Sequence, residues 1–320
     1  MKSMDLVTFG ESMALFTSAR TLPLQYENQY FRQMAGAESN VAIGVSRLGH
    51  SVGWFSKLGN DPFGEFIYKT MQGEGVDVSR CQYSNEAPTG LFFKEKRNAG
   101  DVRIYYYRQH SAASMLQPYD LDEDYMKRAR YLHITGITPA LSKSCRETVF
   151  AAIEIASSNG VKIVFDPNLR LKLWAEDEAK RVLSDIAGKS DIILPGIDEG
   201  MFLTGENTRE AIAARLSKDG KTVIMKLGKE GAFYQNANEN GAVSGFAVQE
   251  VVDPVGAGDG FSAGIISGLL RDEPLSMVVK RANAIGALVV GVNGDSEGLP
   301  KNEEVERFMS RSSSVQDVIR

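Results

Sequence analysis

The stretch Asp253-Pro254-Val255-Gly256-Ala257-Gly258-Asp259-Gly260-Phe261 decides how the rest of this 320-residue sequence is interpreted. It follows an apolar run at residues 246–252 with the character of a strand, and a helical pattern runs from Gly258 to Leu270. The small residues between the two elements free the backbone N–H groups of Gly256, Ala257 and Gly258 to point into one space at a helix start, where the helix dipole favours an anion. The sequence therefore predicts an anion hole that contains one carboxylate, Asp259.

A carboxylate inside an anion hole has two interpretations. If Asp259 takes a proton from the group that attacks a bound anion, it is the general base of a phosphoryl-transfer site. If the turn only connects a strand to a helix, Asp259 is an N-terminal cap. Two better-known phosphate motifs do not fit, because Phe261 replaces the third glycine of GxGxxG and Leu183 replaces the first glycine of a P-loop ending at Gly188-Lys189-Ser190. The failed GxGxxG disfavours a dinucleotide-dependent oxidoreductase.

Composition and charge set wide limits on the function. Apolar residues make up 43% and charged residues 24% of the sequence, as in ordinary globular proteins. The net charge of −5 disfavours a nucleic-acid binder, which usually has a basic face. Cys81 and Cys145 lack metal-site spacing, so neither a zinc site nor a disulfide framework is expected. Residues 4–10 have a strand pattern rather than that of a signal peptide, and no apolar run approaches the roughly 18 residues that span a membrane, so we expect a cytoplasmic location.

Most of the sequence alternates strands with helices of about 10–15 residues, which predicts right-handed crossovers and a largely parallel sheet. Residues 12–34 and 88–110 lie outside this rhythm. Residues 22–34 alternate apolar and polar side chains, as half-exposed strands do, and strand-like runs flank the turn Asn98-Ala99-Gly100-Asp101 as in a hairpin. We expect one α/β domain over residues 1–320, with these two segments inserted as a small β-sheet lid. The exposed aromatic side of the hairpin also predicts a homodimer or higher homo-oligomer formed through the lid.

Arg108 and Arg170 follow two different predicted strands. Because ligands gather at the carboxyl ends of strands in open α/β sheets, the two guanidinium groups would bind a carboxylate in a forked geometry if they converge. Taken singly, each is better explained as a solvated or salt-bridged arginine. Tyr106 alternates onto the same strand face as Arg108. A phenol beside a guanidinium favours a polar, acidic sugar as the ligand.

Two motifs resemble those of a known family. Residues 253–264, DPVGAGDGFSAG, resemble the C-terminal signature of the PfkB (ribokinase-like) sugar kinases, and residues 35–40, AGAESN, resemble their N-terminal signature. The motifs are far apart and in the family's order, and the resemblance runs over essentially the whole chain. It implies a sugar kinase that uses ATP and Mg²⁺, with a three-layer α/β/α fold, a mostly parallel central sheet and a small β-sheet lid. It favours Asp259 as the general base over the capping interpretation.

Within the family, residues 106–112, YYRQHSA, and 166–170, DPNLR, look most like those of 2-keto-3-deoxygluconate kinases. That resemblance implies a pocket in which Arg108 and Arg170 hold the carboxylate of the sugar acid. The other substrate-binding residues it implies are Gly36, Tyr106, Ile137 and, for the sugar hydroxyls, Asp295. One departure concerns the strand around Phe92-Phe93, where the family has a pocket tyrosine. The phenylalanines remove one expected hydrogen bond and leave the choice of substrate open.

The resemblance also implies a nucleotide side of the pocket. Lys226-Leu227-Gly228-Lys229-Glu230-Gly231 resembles the family's ATP-side turn, in which Gly228 and Gly231 let the backbone approach phosphate or ribose; a plain hairpin turn is the alternative. Asn283 resembles a residue near the adenine. Glu199 matches the glutamate of the family's NxxE motif, which orders Mg²⁺ through water, although Gly196 stands where its asparagine should be.

The sequence therefore predicts that Asp259 deprotonates the terminal hydroxyl of 2-keto-3-deoxygluconate, which attacks the γ-phosphorus of ATP to give 2-keto-3-deoxy-6-phosphogluconate. Closure of the lid over the sugar acid would exclude water. His110 and His133 are expected to be structural. Another kinase of the family, such as a fructokinase or a 5-keto-2-deoxygluconate kinase, is the nearest alternative. A non-catalytic sugar- or nucleotide-binding regulator is a more distant one.

Overall fold

Strands and helices alternate along most of the chain in the computed structural model, which describes residues 2–98 and 101–313. The strands are β1 Met4–Phe9, β2 Met13–Ser18, β3 Tyr30–Ala35, β4 Val52–Phe55, β5 Lys57–Gly59, β6 Gln82–Ser84, β7 Leu91–Asn98, β8 Asp101–Tyr107, β9 Ala129–Thr135, β10 Lys162–Asp166, β11 Ile192–Ile193, β12 Thr222–Lys226, β13 Ala232–Gln235 and β14 Asn240–Val243. The helices are α1 Ala37–Arg47, α2 Pro62–Gly73, α3 Glu123–Met126, α4 Thr138–Leu141, α5 Lys143–Ser158, α6 Glu176–Lys189, α7 Ile197–Thr204, α8 Arg209–Leu216, α9 Ala257–Leu270, α10 Leu275–Val289 and α11 Asn302–Ser313.

The central sheet has eight strands in the order β14-β13-β12-β11-β10-β9-β1-β4. The strands from β12 to β4 are all parallel, whereas β13 and β14 add antiparallel pairs at one side. Parallel neighbours cannot be joined by a tight turn, so each needs a crossover, and most crossovers here contain helices. The parallel strands therefore all end at the same edge of the sheet.

Helices cover both faces of this sheet. On one face, α1, α9 and α10 pack with Leu6, Val164 and Ile224 in one apolar core. On the other face, α5 and α6 pack with Val7 and Ile163 in a second core. Adjacent strand residues point to opposite faces, so strands buried on both sides have continuous apolar runs. The layers are thus helix, sheet and helix, which confirms the predicted fold class.

Capping residues fix where several helices begin. Asp61 precedes α2 and accepts the backbone N–H groups of Phe63 at 3.0 Å and Gly64 at 2.8 Å. Ser142 precedes α5 and accepts the N–H of Cys145 at 3.0 Å. These side chains satisfy donors that have no carbonyl partner in a first helical turn. Ser142 thereby separates α5 from the short helix α4, which ends at Leu141.

A second sheet of four strands lies apart from the central one, in the order β3-β2-β7-β8. We call it the small sheet. It comes from the two segments expected as a lid, with β7 and β8 as the predicted antiparallel hairpin. The hairpin turn includes Ala99 and Gly100, which lie outside the described residues. Within residues 2–98 and 101–313, no helix is long and apolar enough to cross a membrane.

Two local predictions are wrong. Residues 246–252 form no strand; the central sheet ends at β14, and Val252 N–H donates to Val290 O at 2.8 Å, at the end of α10. The second is the half-exposed strand predicted from residue 22 onwards. A 3₁₀ turn at Leu24–Tyr26 replaces its first part, because Tyr26 N–H closes back on Pro23 O at 2.9 Å. The strand begins only at Tyr30.

Candidate active site

A cavity of about 380 Å³ lies where the small sheet faces the carboxyl ends of the central strands. Its wall includes Phe92 and Ile104 from the small sheet and Asp166 and Lys226 from the ends of β10 and β12. This is the edge at which open α/β sheets bind ligands. The cavity brings together most of the residues selected from the sequence, namely Gly36, Tyr106, Arg108, Ile137, Arg170, Glu199, Lys226, Gly256, Gly258, Asp259 and Asp295.

Four of the selected residues do not line this cavity. Ala257 follows Gly256 in the turn, but its N–H donates to Pro254 O at 3.4 Å. Gly228 begins the 3₁₀ turn after β12 and Gly231 follows it, and their φ angles are positive, at 59° and 97°. Asn283 is buried on α10, where its Nδ2 donates to Val243 O at 3.0 Å at the end of β14. The structure thus gives Asn283 a role in joining helix to sheet.

Asp259 lies in the first turn of α9 and faces the cavity. Its Oδ2 accepts a hydrogen bond of 2.7 Å from Nδ2 of Asn40, a buried residue of α1. Asp259 is half-buried, and loss of water around it raises the pKa of the carboxyl to about 7; Asn40 opposes the rise, while Asp166 and Asp295 add to it. A carboxyl with this pKa exchanges protons near neutral pH, which suits a general base.

The turn before Asp259 has the shape of an anion site. Gly256 has φ 80°, in the left-handed region, and a Cβ added there would lie 2.2 Å from Asp295 O, so only glycine fits. Within the described residues, the N–H groups of Gly256 and Gly258 donate to no backbone or side-chain acceptor. Both residues line the cavity at the positive end of α9. Two of the three predicted donors are therefore available, and the third, from Ala257, is directed to Pro254.

Lys226 supplies positive charge beside Asp259. Its Nζ donates to both carboxylate oxygens of Asp166, at 2.9 and 2.8 Å. Although burial opposes the charged ammonium, Asp166 keeps the pKa of Lys226 above its ordinary value. Ser262 of α9 donates to the same carboxylate at 3.0 Å. The ammonium is thus held at a fixed point from which it can attract phosphate oxygens.

Glu199 lines the cavity and also accepts hydrogen bonds from two backbone N–H groups. One carboxylate oxygen accepts Leu169 N–H at 2.9 Å and the other accepts Gly196 N–H at 2.7 Å, which caps the start of α7. Within the described residues, no group of three or more His, Cys, Asp or Glu side chains could hold a metal ion. Mg²⁺ needs no such cage, since it keeps several waters and binds substrate phosphates with one or two carboxylates. Glu199 is a carboxylate in the cavity wall that would reach such an ion through water.

Arg108 is largely buried and forms a close ion pair with Glu11. Glu11 also accepts a hydrogen bond from the Ser111 hydroxyl. Burial raises the pKa of Glu11 above its usual value, against the opposing effect of Arg108. Within the described residues, Nε of Arg108 finds no hydrogen-bond partner, and Oε2 of Glu11 contacts Nη2 of Arg108 only as an ion pair. Arg108 is therefore held in place, with one buried donor unsatisfied.

The remaining substrate-side residues surround Arg108. The guanidinium carbon of Arg108 lies 5.6 Å from the ring centroid of Tyr106, as their shared strand face predicts. Arg170 is exposed in the segment after β10 and also lines the cavity. Phe92 is buried and lines the cavity, whereas Phe93 stacks on Phe16 with ring centroids 5.3 Å apart. The two arginines thus open onto one cavity, and Phe92 occupies the wall where a tyrosine was expected.

Asp295 also lines the cavity, and its backbone packs against Gly256 of the turn that leads to Asp259. It is 6% exposed, and burial raises the pKa of its carboxyl to about 7, with Lys94 opposing the rise and Asp253 adding to it. His133 and His110 lie outside the cavity wall. His133 is buried on β9, 3.1 Å from the Thr8 hydroxyl, and burial lowers its pKa to about 4.

Sequence reasoning missed four residues that shape the cavity, namely Glu11, Asn40, Lys94 and Asp166. Glu11 follows β1 and Asp166 is the last residue of β10, and the strand-end position is a signal that could have identified them. Asn40 ends the motif at residues 35–40, yet its partner Asp259 is 219 residues away. Lys94 lies within a strand and carries no local signal.

Comparison with known proteins identifies the family. The sequence profile of the pfkB family carbohydrate kinases matches residues 3–302, and the chain belongs to this family. The chain is therefore a phosphotransferase that acts on a carbohydrate alcohol. The resemblance noted at residues 35–40 and 253–264 is confirmed.

Individual relatives and solved structures are similar to this chain over nearly its whole length. The chain is 46% identical over 316 residues to the 2-dehydro-3-deoxygluconokinase of Bacillus subtilis (strain 168), covering 98% of this chain and 97% of that protein. A 2-dehydro-3-deoxygluconokinase structure from Thermotoga maritima superposes with a TM-score of 0.88 at 26% identity, covering 96% of this chain and 98% of the other. An E. coli protein provisionally assigned as ribokinase II, solved with ATP and Mg²⁺, superposes with a TM-score of 0.90 at 30% identity, covering 96% and 99%.

Proposed function

We propose that this carbohydrate kinase transfers the γ-phosphoryl group of ATP to the terminal hydroxyl of 2-keto-3-deoxygluconate, also called 2-dehydro-3-deoxygluconate. The products are 2-keto-3-deoxy-6-phosphogluconate and ADP. The observation that carries the proposal is that one cavity contains Asp259, in an anion-binding turn, together with the guanidinium groups of Arg108 and Arg170. The Bacillus subtilis relative acts on a substrate of this kind by its name, which supports the choice.

The sugar acid has a carboxylate at one end and the reacting hydroxyl at the other. Arg108 and Arg170 bind the carboxylate, because guanidinium groups match its forked geometry. The phenol O–H of Tyr106, on the same strand face as Arg108, donates a hydrogen bond to the sugar acid. Asp295 accepts hydrogen bonds from sugar hydroxyls. Gly36 and Ile137 also line the part of the cavity that would hold the sugar acid, and they give its carbon chain an uncharged surface.

Asp259 is the general base in this proposal. Its carboxylate takes the proton of the terminal hydroxyl as the hydroxyl oxygen bonds to the γ-phosphorus, and the bond from that phosphorus to the β,γ-bridging oxygen breaks. The N–H groups of Gly256 and Gly258 donate to the oxygens of the transferred group, with Ala257 completing the turn. The Asn40 hydrogen bond of 2.7 Å holds the carboxylate in one orientation.

The nucleotide occupies the part of the cavity next to β12. Lys226 attracts the phosphates of the nucleotide. Gly228 and Gly231 let the backbone of their turn come close to phosphate or ribose, and Asn283 lies near the adenine. Glu199 would bind Mg²⁺ through water. When bound with ATP, Mg²⁺ neutralises phosphate charge.

The small sheet is the lid of the cavity in this proposal and also the dimer surface. Strand β8 is an edge of the small sheet, and Tyr107 is 63% exposed on it. An exposed edge strand with aromatic side chains is a template for pairing with another copy. A homodimer formed there would place one lid against the other. The cytoplasmic location stays a prediction.

The proposal is tested by following ADP release from ATP-Mg²⁺ with a panel of sugars and sugar acids. Turnover on 2-keto-3-deoxygluconate, with kcat/KM at least 100-fold above fructose and ribose, is the expected result. Higher kcat/KM on a neutral sugar would keep the kinase but reject the carboxylate site. Arg108→Ala and Arg170→Ala then locate the contact, because each should raise KM for the sugar acid more than KM for ATP.

A further inference from the structure

Lys94 makes a contact that the proposed function does not use. It belongs to β7 of the small sheet, is 4% exposed, and its ammonium forms a close ion pair with Asp253, which is 5% exposed. The two residues are 159 positions apart in the sequence. Two charges are rarely buried together without a reason, because each loses its hydration. The pair joins the small sheet to the first residue of the anion-binding turn.

Asp253 links three segments of chain. Oδ2 accepts from Lys94 and, at 3.4 Å, from Gly294 N–H, and Oδ1 accepts Val255 N–H at 3.2 Å. Val255 leads into the turn that carries Asp259. Gly294 precedes Asp295, which lines the cavity and packs against Gly256 of the turn. One carboxylate therefore fixes both of these segments relative to the small sheet.

We propose that Lys94 is a positioning residue for phosphoryl transfer: its ion pair with Asp253 couples the seating of the small sheet over the sugar to the placement of the anion-binding turn. The inference rests on the proposed role of Asp259. Lys94 alternates with Phe92 on the cavity face of β7, so the strand that covers the sugar is the strand that holds Asp253. When the small sheet moves away, both charges are hydrated and the turn loses one of its fixed contacts.

Lys96 is the lysine to compare with Lys94, because it lies two residues further along the same face of β7. It is only half-buried, and its Nζ lies 3.4 Å from Asn293 Oδ1. Lys96 has the same charge and length, but it does not contact Asp253 or the anion-binding turn. Lys96→Met is therefore the matched control for the loss of a positive charge from β7.

The experiment compares Lys94→Met, Asp253→Asn, the double variant and Lys96→Met in steady-state kinetics, with circular dichroism to verify folding. A turn displaced by about 1 Å costs on the order of 100-fold in rate, so we expect kcat to fall about 100-fold in each single variant. KM for ATP and for the sugar acid should stay within threefold. The double variant should be no slower than the slower single variant, because both changes break one contact. Lys96→Met should retain wild-type kcat.

If the single variants fold, three results would overturn the inference. A rise in KM for the sugar acid with unchanged kcat would make Lys94 a substrate ligand, and multiplied losses in the double variant would separate the two residues. Wild-type kcat in folded Lys94→Met would leave the contact without effect. If the single variants fail to fold, the double variant carries the test, since it leaves no unpaired buried charge, and kcat within threefold of wild type would reject the coupling. Asp259→Asn is measured alongside: if it stays active, the proposed base fails whatever Lys94 does.

Discussion

Asp259 shows how much a single residue depends on its surroundings. The same carboxylate on an exposed helix would be fully ionised at neutral pH, but partial burial near Asp166 and Asp295 raises its pKa to about 7. The hydrogen bond from Asn40 holds it in one orientation. A base needs both a fixed direction and a pKa near the working pH.

Asp259→Asn is expected to lower kcat by about 10³- to 10⁴-fold, since the amide keeps the shape but accepts no proton. Melting temperature should change little, because Asn can still accept the hydrogen bond from Asn40. The matched control is Asp198→Asn, which changes an exposed aspartate in the first turn of another helix, α7. A kcat within about tenfold of wild type would remove Asp259 as the base.

The pH dependence of kcat/KM follows from the raised pKa of Asp259 in the ligand-free protein. The base must be unprotonated, so kcat/KM is full above the folded-state pKa of about 7 and falls about tenfold per pH unit below it. Values of kcat/KM for the sugar acid, measured from pH 5.5 to 9, test the expected fall. Constant kcat/KM down to pH 5.5 would show either that Asp259 is not the base or that its carboxyl ionises normally.

Sequence reasoning identified charged residues better than it identified their partners. Asp259, Arg108 and Lys226 follow recognisable turns or strand ends, where chemistry in α/β folds concentrates. Their partners Asn40, Glu11 and Asp166 come from distant parts of the chain. Periodicity and spacing describe neighbours within one element, so they carry no information on which strand end faces which helix.

At the scale of elements, the close packing of α9 against its neighbours is set by missing side chains. A Cβ at Gly264 would lie 2.6 Å from the Cα of Ala282 on α10, and a Cβ at Gly44 of α1 would lie 2.7 Å from the Cβ of Ala263. Helix α9 carries Asp259 at its start. Its position between α1 and α10 therefore determines where the carboxylate points.

Gly264→Ala is expected to lower the free energy of unfolding by about 1–3 kcal/mol, because the added methyl group meets backbone that cannot move aside easily. The matched control is Gly286→Ala on α10, where the nearest atom to the added Cβ is Ala257 O at 3.7 Å. There alanine should stabilise by up to about 1 kcal/mol through its helix propensity. Urea denaturation measures both changes. Equal stability of Gly264→Ala and wild type would show that the helices separate at little cost.

Elements with a full set of local signals were predicted well. Helix α5 matches its apolar period and begins after the cap Ser142. Residues 246–252 had only an apolar character, and Val251 and Val252 are 60% and 51% exposed in the structure. Short apolar runs do not distinguish a strand from an irregular segment, because the presence of a pairing partner decides. In the structure these residues pair with no strand, and β14 remains the last strand of the central sheet.

At the scale of the molecule, the fold class was predictable because alternating strands and helices permit few arrangements. The small sheet was visible as a break in that rhythm. The sequence could not give the strand order, in which β1 lies between β9 and β4. This order depends on contacts between elements far apart in the chain. The division into one domain with a lid stays a prediction.

The proposed dimer is a property of the whole molecule. Light scattering after size exclusion should give twice the chain mass of 35.0 kDa. Tyr107→Lys should shift the protein towards the monomer, because a charged side chain on an edge strand opposes pairing with another copy. Tyr119→Lys, an 80% exposed tyrosine outside the small sheet, is the control and should stay dimeric. A monomeric wild-type protein would reject the surface.

The hydrogen bond between Asn40 and Asp259 also has a consequence during protein synthesis. Its two residues are 219 positions apart, so at about 5–20 residues per second the ribosome adds the second roughly 10 to 40 seconds after the first. If Asp259 is the base, as proposed, a growing chain that has not yet reached residue 259 lacks the group that accepts the proton. Such a chain would not transfer phosphate from ATP to a sugar, even though Asn40 and the strands before it are already made.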